Sequence, residues 1–502
     1  MNVELQVIGS ALRAVAEEMG AVLIRSAFSA NIKERRDCST AIFDEAGRMI
    51  AQAEHIPVHL GAMPDAVAAA MPWCQTPGQV CILNDPYTGG THLPDVTLVS
   101  RTELGFAVSR AHHADVGGMS PGSMPQGATE LVQEGLVLPP VLLSRGGVMR
   151  EDMLRVILAN VRTPAERSGD LRAQLAACAA GANGLRSLIA REGRERVAAS
   201  GRALIDYTAR RAASTIRALG ALTGRATDTL EGDGVTDDPV TITVALRTHG
   251  DRLVLDFTGT SPQVRGNVNC PLAVTRAAAV FVLRTLLPDD VPTNDGIARA
   301  IEIVAEPGSA VHARWPAAVA AGNVEMSQRI TDTLFAALAS AGLDVPAQGQ
   351  GTMNNVTFGG DGWTFYETLG GGQGASSRGP GPSAVHVGMS NTRNTPIESL
   401  EWAYPIRIEE YSMRRGSGGA GVHAGGDGVV RRYRALEPCT VTLLTERRRR
   451  APAGAAGGAS GATGRNLLNG KALPAKCRVQ MKAGDVLTIE TPGGGGWGKA
   501  GG

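Results

Sequence analysis

The chain has 502 residues, enough for two to four domains or lobes, and 43% of them are hydrophobic, which excludes disorder along its whole length. A net charge of +1 gives no argument for a nucleic-acid partner or for binding at a membrane surface. The seven cysteines are odd in number and form no C-x-x-C pair, which argues against a disulfide framework or a cysteine-zinc site; reduced thiols suit the cytosol. The opening segment MNVELQVIGSALRAVAEEMG has no basic stretch before an apolar run, and no stretch reaches ~18 uncharged apolar residues. Neither a signal peptide nor a membrane span is expected, and the chain reads as cytoplasmic.

Residues 4–28 read as a helix, because Leu5, Ile8, Leu12, Val15, Met19, Val22 and Leu23 recur at three- and four-residue steps. After the polar stretch SANIKERRDCS comes a hairpin, TAIFD and RMIAQ around Glu45-Ala46-Gly47. A short helix is expected over 61–72. Three buried strands follow: VCILND (80–85), VTLVS (96–100) and FAVSRAH (106–112). Residues 150–220 read as helical, with Thr163, Pro164 and Glu166 arranged as a capping box, and should pack on the core or on a partner. A hairpin turning at His249-Gly250-Asp251 spans 240–258, and helices follow at 271–287 and 327–342. Beyond about 350 the chain is Gly-rich with short strands such as PIRIEEYSM, VVRRYRA and CTVTLLTE. The low-complexity run APAGAAGGASGATG (451–464) reads as a mobile loop. The expected class is therefore mixed α+β. It divides into an N-terminal strand-rich region (1–148), a helical segment (149–235), a mixed α/β region (236–350) and a Gly-rich, β-containing region (351–502).

The densest chemistry is NDPYTGGTHLPDV (84–96) followed by AHHADVGG (111–118). Neighbouring strand ends deliver His92, Asp95, His112 and His113, with Asp85 and Asp115 beside them. With His59, four of the nine histidines fall in this region. Mixed imidazole and carboxylate ligands suit Zn, Mn or Fe, and an open position on such a metal polarises a carbonyl or acidifies water. A dry network of buried His and Asp is the plainer alternative, and spacing alone leaves both open. Upstream, Glu34 or Asp37 in IKERRD offers a carboxylate and Arg35 or Arg36 a cation for an anion, though a solvated charge run is the favoured reading.

The G-x-S-x-G match at Gly118–Gly122 is rejected, because Pro121 lacks the N–H that an oxyanion hole needs there. GSGGAG (416–421) and GGGQGA (370–375) lack the strand-to-helix setting of a phosphate cradle, and no G-x-x-x-x-G-K-[ST] occurs. In HVGMSNTRNTPIESLEW (386–402), Asn391, Asn394 and Glu398 are candidates to bind a substrate amide, against the alternative of a helix cap. The run Arg447–Arg450 reads as solvated, and Cys270 as structural.

Long ordered segments resemble one family. FSANIKERRDCSTAIFDEAGRMIAQAEHIPVHLGAMP, NDPYTGGTHLPDVTLV, SRAHHADVGGMSPGSMP, NTRNTPIESLEW and TPGGGGWG are similar to the hydantoinase B / 5-oxoprolinase family, from near residue 5 to the C-terminus. The resemblance implies a B-type subunit of an ATP-dependent enzyme that opens hydantoin, 5-oxoproline or a related lactam. Acetone and acetophenone carboxylase subunits are relatives. It also implies an A-type ATPase subunit as partner, which binds ATP, and a divalent transition metal, Mn or Zn, in this chain. The metal positions carry over onto His92, Asp95 and His112, with His113 the fallback, and Asp37 is preferred to Glu34 as a further ligand. Asp115 is expected to orient a ligand histidine, and Glu34 is retained with it as a candidate catalytic carboxylate. A carboxylase subunit and a non-catalytic scaffold for the ATPase are the alternatives.

Overall fold

The computed structural model describes residues 3–54, 56–59 and 61–500. Helix α1 (Val3–Ser26) and the single turn α2 (Ala30–Lys33) lead into β1 (Cys38–Asp44) and β2 (Met49–Glu54). Then come α3 (Met63–Ala70), β3 (Gln79–Leu83), β4 (Asp95–Thr102), β5 (Gly105–His112), β6 (Val141–Arg145) and β7 (Val148–Met149). These strands form one antiparallel sheet in the order β2-β1-β5-β4-β3-β6-β7. Both its faces are buried, and β5 shows why its sequence lacks polar alternation. Phe106 and Val108 pack towards α3, while Ala107 and Ala111 pack beneath helices.

Those covering helices are α1 with α5 (Pro164–Glu192) and α6 (Arg194–Leu219), preceded by α4 (Glu151–Ala159). The helical segment thus packs on the first sheet. The expected capping box at its start is not formed: Thr163 Oγ1 has no partner and Glu166 pairs with Arg167.

A second sheet, in the order β11-β10-β9-β8, contains β8 (Thr223–Leu230), β9 (Val240–His249), β10 (Arg252–Asp256) and β11 (Ile301–Val304). Strand β8, TGRATDTL, falls beyond the expected helices with no apolar run to betray it, and it is carried by pairing with β9. Helix α7 (Leu272–Leu286) and α9 (Ser327–Ser340) share its core, with the turn α8 (Asp295–Ala298) between them in sequence. Helix α9 is entered through a π-helical turn, Gly322–Met326, which sequence periodicity did not reveal.

The C-terminal region is a sandwich. One sheet, β13-β12-β16-β19, uses β12 (Asn355–Gly360), β13 (Trp363–Glu367), β16 (Cys439–Leu444) and β19 (Lys476–Met481). The other, β14-β15-β20-β17-β18, uses β14 (Ile406–Arg414), β15 (Gly428–Ala435), β17 (Arg465–Leu468), β18 (Lys471–Leu473) and β20 (Val486–Glu490). Phe358, Phe365, Val441 and Leu443 of the first meet Tyr433, Leu487 and Ile489 of the second. The short helix α10 (Ile397–Ala403) closes one end.

The run at 451–464 is no mobile loop. Its backbone is bonded into other Gly-rich segments: Ala459 N to Ala420 O, Gly496 N to Ala459 O, Gly493 N to Ala462 O. Close backbone approach is what excludes a side chain here; a Cβ on Gly494 would stand 2.0 Å from Gln373 O. The same packing occupies the two candidate phosphate cradles, since Gly419 N is bonded to Gly494 O and Gly372 N to Pro492 O. The mixed α+β class holds, and no helix among the described residues is long and apolar enough to cross a membrane.

Candidate metal centre

Strand register lays three of the expected residues side by side. In the β4–β5 ladder Asp95 is opposite His112. In the β1–β5 ladder Cys38 is opposite Ala111, so Asp37 comes opposite His112, whose N–H donates to Asp37 O at 3.0 Å. Residues directly opposite in antiparallel strands share a face, so His112 and Asp95 stand side by side at the end of the sheet, and Asp37, the residue before β1, is bonded to His112 through its backbone while its carboxylate stays outside the convergent donor group. Arg36, at φ 57°, makes the left-handed turn that brings Asp37 beside His112.

His92 arrives from the loop before β4. That loop is held by Asn84, whose Nδ2 donates to Leu93 O and Leu136 O and whose Oδ1 accepts from Leu138 N. It also passes too close to neighbouring backbone for any residue but glycine at Gly90, where a Cβ would lie 2.4 Å from Asn84 O. His59, from the turn Pro57–His59, enters from the other side and rests its Nδ1 3.0 Å from Ser39 Oγ.

The donors converge on Asp95. Its Oδ1 lies 3.2 Å from His92 Nε2 and 3.5 Å from His112 Nδ1; its Oδ2 lies 3.5 Å from His59 Nε2. Ligand atoms of His92, Asp95 and His112 all fall within 4.8 Å of one another, and all three residues are buried. Burial alone would raise the Asp95 pKa, but His92, His59 and His112 hold it well below the usual carboxylate range, so the group is ionised. Burial lowers the His112 pKa despite the attraction of Asp95 and Asp37, which favours the neutral imidazole that ligates metals.

The hydrogen bonding is incomplete in an informative way. His59 Nε2, His92 Nε2, His112 Nε2 and Asn323 Oδ1 are buried with no hydrogen-bond partner. His92 is near Asp95 but is not aligned for a hydrogen bond. Leaving such atoms unsatisfied costs about 1–3 kcal/mol each, which a bound ligand would offset. A divalent cation fits this donor set of imidazole nitrogens and a carboxylate.

Around the donors stands a second set of residues from far along the chain. Asp95 Oδ2 accepts from Thr91 Oγ1 (2.7 Å) and from Asn323 Nδ2 (3.2 Å) on the π turn. Single π turns recur at functional sites because the wider turn re-aims side chains. Tyr366 stacks on His112, with ring centroids 4.7 Å apart and planes at 10°. The Arg35 guanidinium lies over the Tyr366 ring, 5.0 Å from its centroid. Arg35 is buried, donating to Asn31 Oδ1, Tyr366 O and Thr368 Oγ1, so IKERRD is not a solvated charge run. Of these residues, Asn323 and Tyr366 carried no sequence signal; each sits in an apolar or small-residue context 200 or more positions away.

The remaining expected residues lie elsewhere. His113 follows His112 on the strand and so points to the opposite face, where its Nε2 meets Gln174 Oε1 of α5 at 2.9 Å. Both oxygens of Asp115 are taken by Arg162, Gly117 N and Gly122 N; no histidine is among these partners. Glu34 ends α2 and lies outside the donor group. Asn394 is engaged by Glu367 and Tyr411, and Glu398 sits on the first turn of α10, away from the donors. Asn391 is exposed on the wall of a separate cleft. Arg447 is buried between Asp228 and Asp332, so the four-Arg run is solvated only at Arg449 and Arg450. Cys270 is buried, which pushes its thiol up to about 12, the state of a structural cysteine.

A family model described as Hydantoinase B/oxoprolinase matches residues 1–500. The chain is 38% identical to 5-oxoprolinase 1 of Arabidopsis thaliana, covering 99% of this chain but 42% of that protein. It is 30% identical to the B-type subunit of a putative D-/L-hydantoinase from a Pseudomonas species, covering 99% and 90%. Among solved structures it is similar to an ATP-dependent caprolactamase from Pseudomonas jessenii, with TM-score 0.89, 26% identity and coverage of 99% and 90%. Acetone carboxylase shares the fold at TM-score 0.82 and 16% identity, covering 99% and 75%. On the whole-chain match and these identities, the chain belongs to the Hydantoinase B/oxoprolinase family.

Proposed function

We propose that this chain is the metal-binding, B-type half of an ATP-dependent enzyme that opens a cyclic amide, hydantoin, 5-oxoproline or a related lactam, together with an A-type ATPase subunit. The observation that carries the metal role is the set of unpartnered ring nitrogens on His59, His92 and His112 around an ionised Asp95. His92, Asp95 and His112 would hold the ion, with Asp37, which precedes β1 beside His112, as a further carboxylate outside that group. A divalent cation there supplies Lewis acidity, polarising a carbonyl or acidifying water. Thr91 and Asn323 fix the Asp95 carboxylate, and the Tyr366 ring fixes the plane of His112, so the donors are set before any ligand arrives. ATP-driven activation is assigned to the partner, because this chain has no G-x-x-x-x-G-K-[ST] and its Gly-rich runs are bonded to each other.

The test is elemental analysis of the complex purified with its ATPase, beside His92→Ala, and ATP consumption with hydantoin, 5-oxoproline and simple lactams. Stoichiometric Mn or Zn that His92→Ala abolishes, with lactam-dependent ATP turnover lost in parallel, is the expected result. A wild-type complex that turns over without metal defeats the metal role. Full activity in the metal-free variant makes the chain a scaffold, and incorporation of labelled bicarbonate into product makes it a carboxylase subunit.

A further inference from the structure

His92 is also held by a part of the chain that supplies no metal donor. Its Nδ1 stands 3.3 Å from Ala320 O. A carbonyl oxygen only accepts, so Nδ1 carries the proton of this bond. In the neutral ring that leaves the lone pair on Nε2, the unpartnered atom beside Asp95. Histidines that bind metals commonly use their other ring nitrogen in this way, and the bond sets both the tautomer and the plane of the ring. The orientation of His92 therefore depends on where one backbone carbonyl stands.

Ala320 belongs to the segment 317–323, which leads into the π turn. The segment delivers Ala320 O to His92 and, three residues on, Asn323 to Asp95. It is tied down along its length. Ala317 O accepts from Tyr87 Oη at 2.7 Å and Ala318 O from Asn269 Nδ2 at 3.1 Å, while Gly322 N donates to Asn267 O at 3.0 Å. Val319 and Ala320 are held by Glu134. Its Oε1 accepts from Val319 N at 3.0 Å and from Ala320 N at 2.8 Å, and its Oε2 lies 3.1 Å from Val319 N.

Glu134 is fully buried, and burial pushes its carboxyl up to about 8 against the pull of those N–H groups. An apolar side chain of similar size would avoid this desolvation but could not hold two N–H groups. The residue's own place is set firmly. The capped turn Leu131–Gln133 leads into it, and a Cβ on Gly118 would lie 2.5 Å from Glu134 O. Gly118 closes the segment AHHADVGG (111–118), which starts on β5 beside His112.

We propose that Glu134 is a positioning residue for the metal centre: it fixes the backbone at Val319 and Ala320, and through Ala320 O it holds His92 with Nε2 turned to the ion. The proposal rests on the metal reading above and adds to it a residue outside the donor group. Two properties separate this role from packing. It needs an acceptor oxygen at a fixed reach, and Oε1 alone serves both N–H groups, so Gln should replace Glu134 where Met and Asp do not. It must also show in the donor geometry at the metal and not only in stability.

The test is cobalt(II) loading of the full chain purified with its ATPase. Affinity is read by competition with a chelator, and donor geometry by the d–d absorption band. Glu134→Met should weaken cobalt binding about tenfold and shift the band. Glu134→Asp, which draws the carboxyl back by one carbon, should do the same in the same direction, and Glu134→Gln should keep both readings near wild type. If the Met variant does not fold, the Asp and Gln pair carries the comparison, since one keeps the acid and the other keeps the reach. Val441→Ala, in the core of the C-terminal sandwich, shows what lost stability alone does to the two readings. Wild-type affinity and band in Glu134→Met and Glu134→Asp overturn the positioning role and leave the metal reading standing. So does a Glu134→Gln variant as weak as Glu134→Met, or an equal loss of affinity in Val441→Ala. A wild-type complex that takes up no cobalt overturns the metal reading and this role with it.

Discussion

The π turn Gly322–Met326 joins two buried polar clusters of opposite character. On one side Asn323 reaches Asp95, where three histidines surround a carboxylate and the Nε2 of each ring lacks a partner. On the other side α9 meets a cluster of ion pairs, next to which Glu325 is held by Thr352, Met353 N and Asn355. Arg329 lies 3.1 Å from Asp228 and 3.4 Å from Glu446, Arg447 lies 2.7 Å from Asp332, and Lys476 pairs with Glu446. Both clusters lie in the interior, so burial does not distinguish them. The difference is in the groups themselves: the second cluster sets guanidinium and ammonium groups against carboxylates, while the first sets imidazoles around one carboxylate. The ion-pair cluster binds the second sheet, α9 and the C-terminal sandwich together, through Asp228 on β8, Arg329 on α9 and Lys476 on β19. The histidine cluster also ties the first sheet to the π turn and to β13, through Asn323 and Tyr366, and keeps one unpartnered nitrogen on each of its three imidazoles.

The sharpest way to break that comparison is Arg329→Ala. Removing one partner leaves Asp228 and Glu446 without a charge they were built around, and a loss of about 3–5 kcal/mol is expected. The urea midpoint should fall steeply while the folded fraction keeps its metal; an unchanged midpoint would mean the cluster is not structural. Asn323→Ala acts on the other cluster. It removes one of the two donors that fix Asp95 Oδ2, leaving Thr91, and metal affinity, measured by competition with a chelator, should weaken about 10-fold with the midpoint little changed. Equal loss of stability and metal affinity would show that the two clusters are one unit. The smallest effect is expected at His113→Gln. Burial, with Arg167 nearby, lowers the His113 pKa from the ordinary 6.5 to about 4. The unfolded chain then binds a proton more readily than the folded one. Stability from this group is complete above pH 6.5 and drains away as the pH falls towards 4. The variant should flatten that acid limb in melting curves between about pH 7 and 4 without changing metal content.

Much of the fold was legible locally. The hairpin of β1 and β2, the strands β3, β4 and β5, and the helices α1, α7 and α9 each carry an apolar pattern that their burial explains. Strand β8 was not legible, because small polar residues make it a strand only through its partner. Nor was the order in 451–464, where glycine reads as slack but serves to bring backbones together. At the site, His92 and Asp95 were visible as a pair three residues apart. Asn323 and Tyr366 were not, since an asparagine on a helix and a tyrosine on a strand look like many others until tertiary contacts bring them to Asp95 and His112.

By itself the sequence determined the family, the candidate donor types and most of the secondary structure. These depend on local patterns and on long ordered motifs. Only the tertiary structure separated His112 from His113, because a strand's two-residue period sends neighbours to opposite faces and the register alone says which face holds Asp95. It also set the backbone of Asp37 against His112 and left the Nε2 of His59, His92 and His112 unpartnered. Whether a buried polar atom is satisfied depends on every segment packed around it, and no stretch of sequence contains that information.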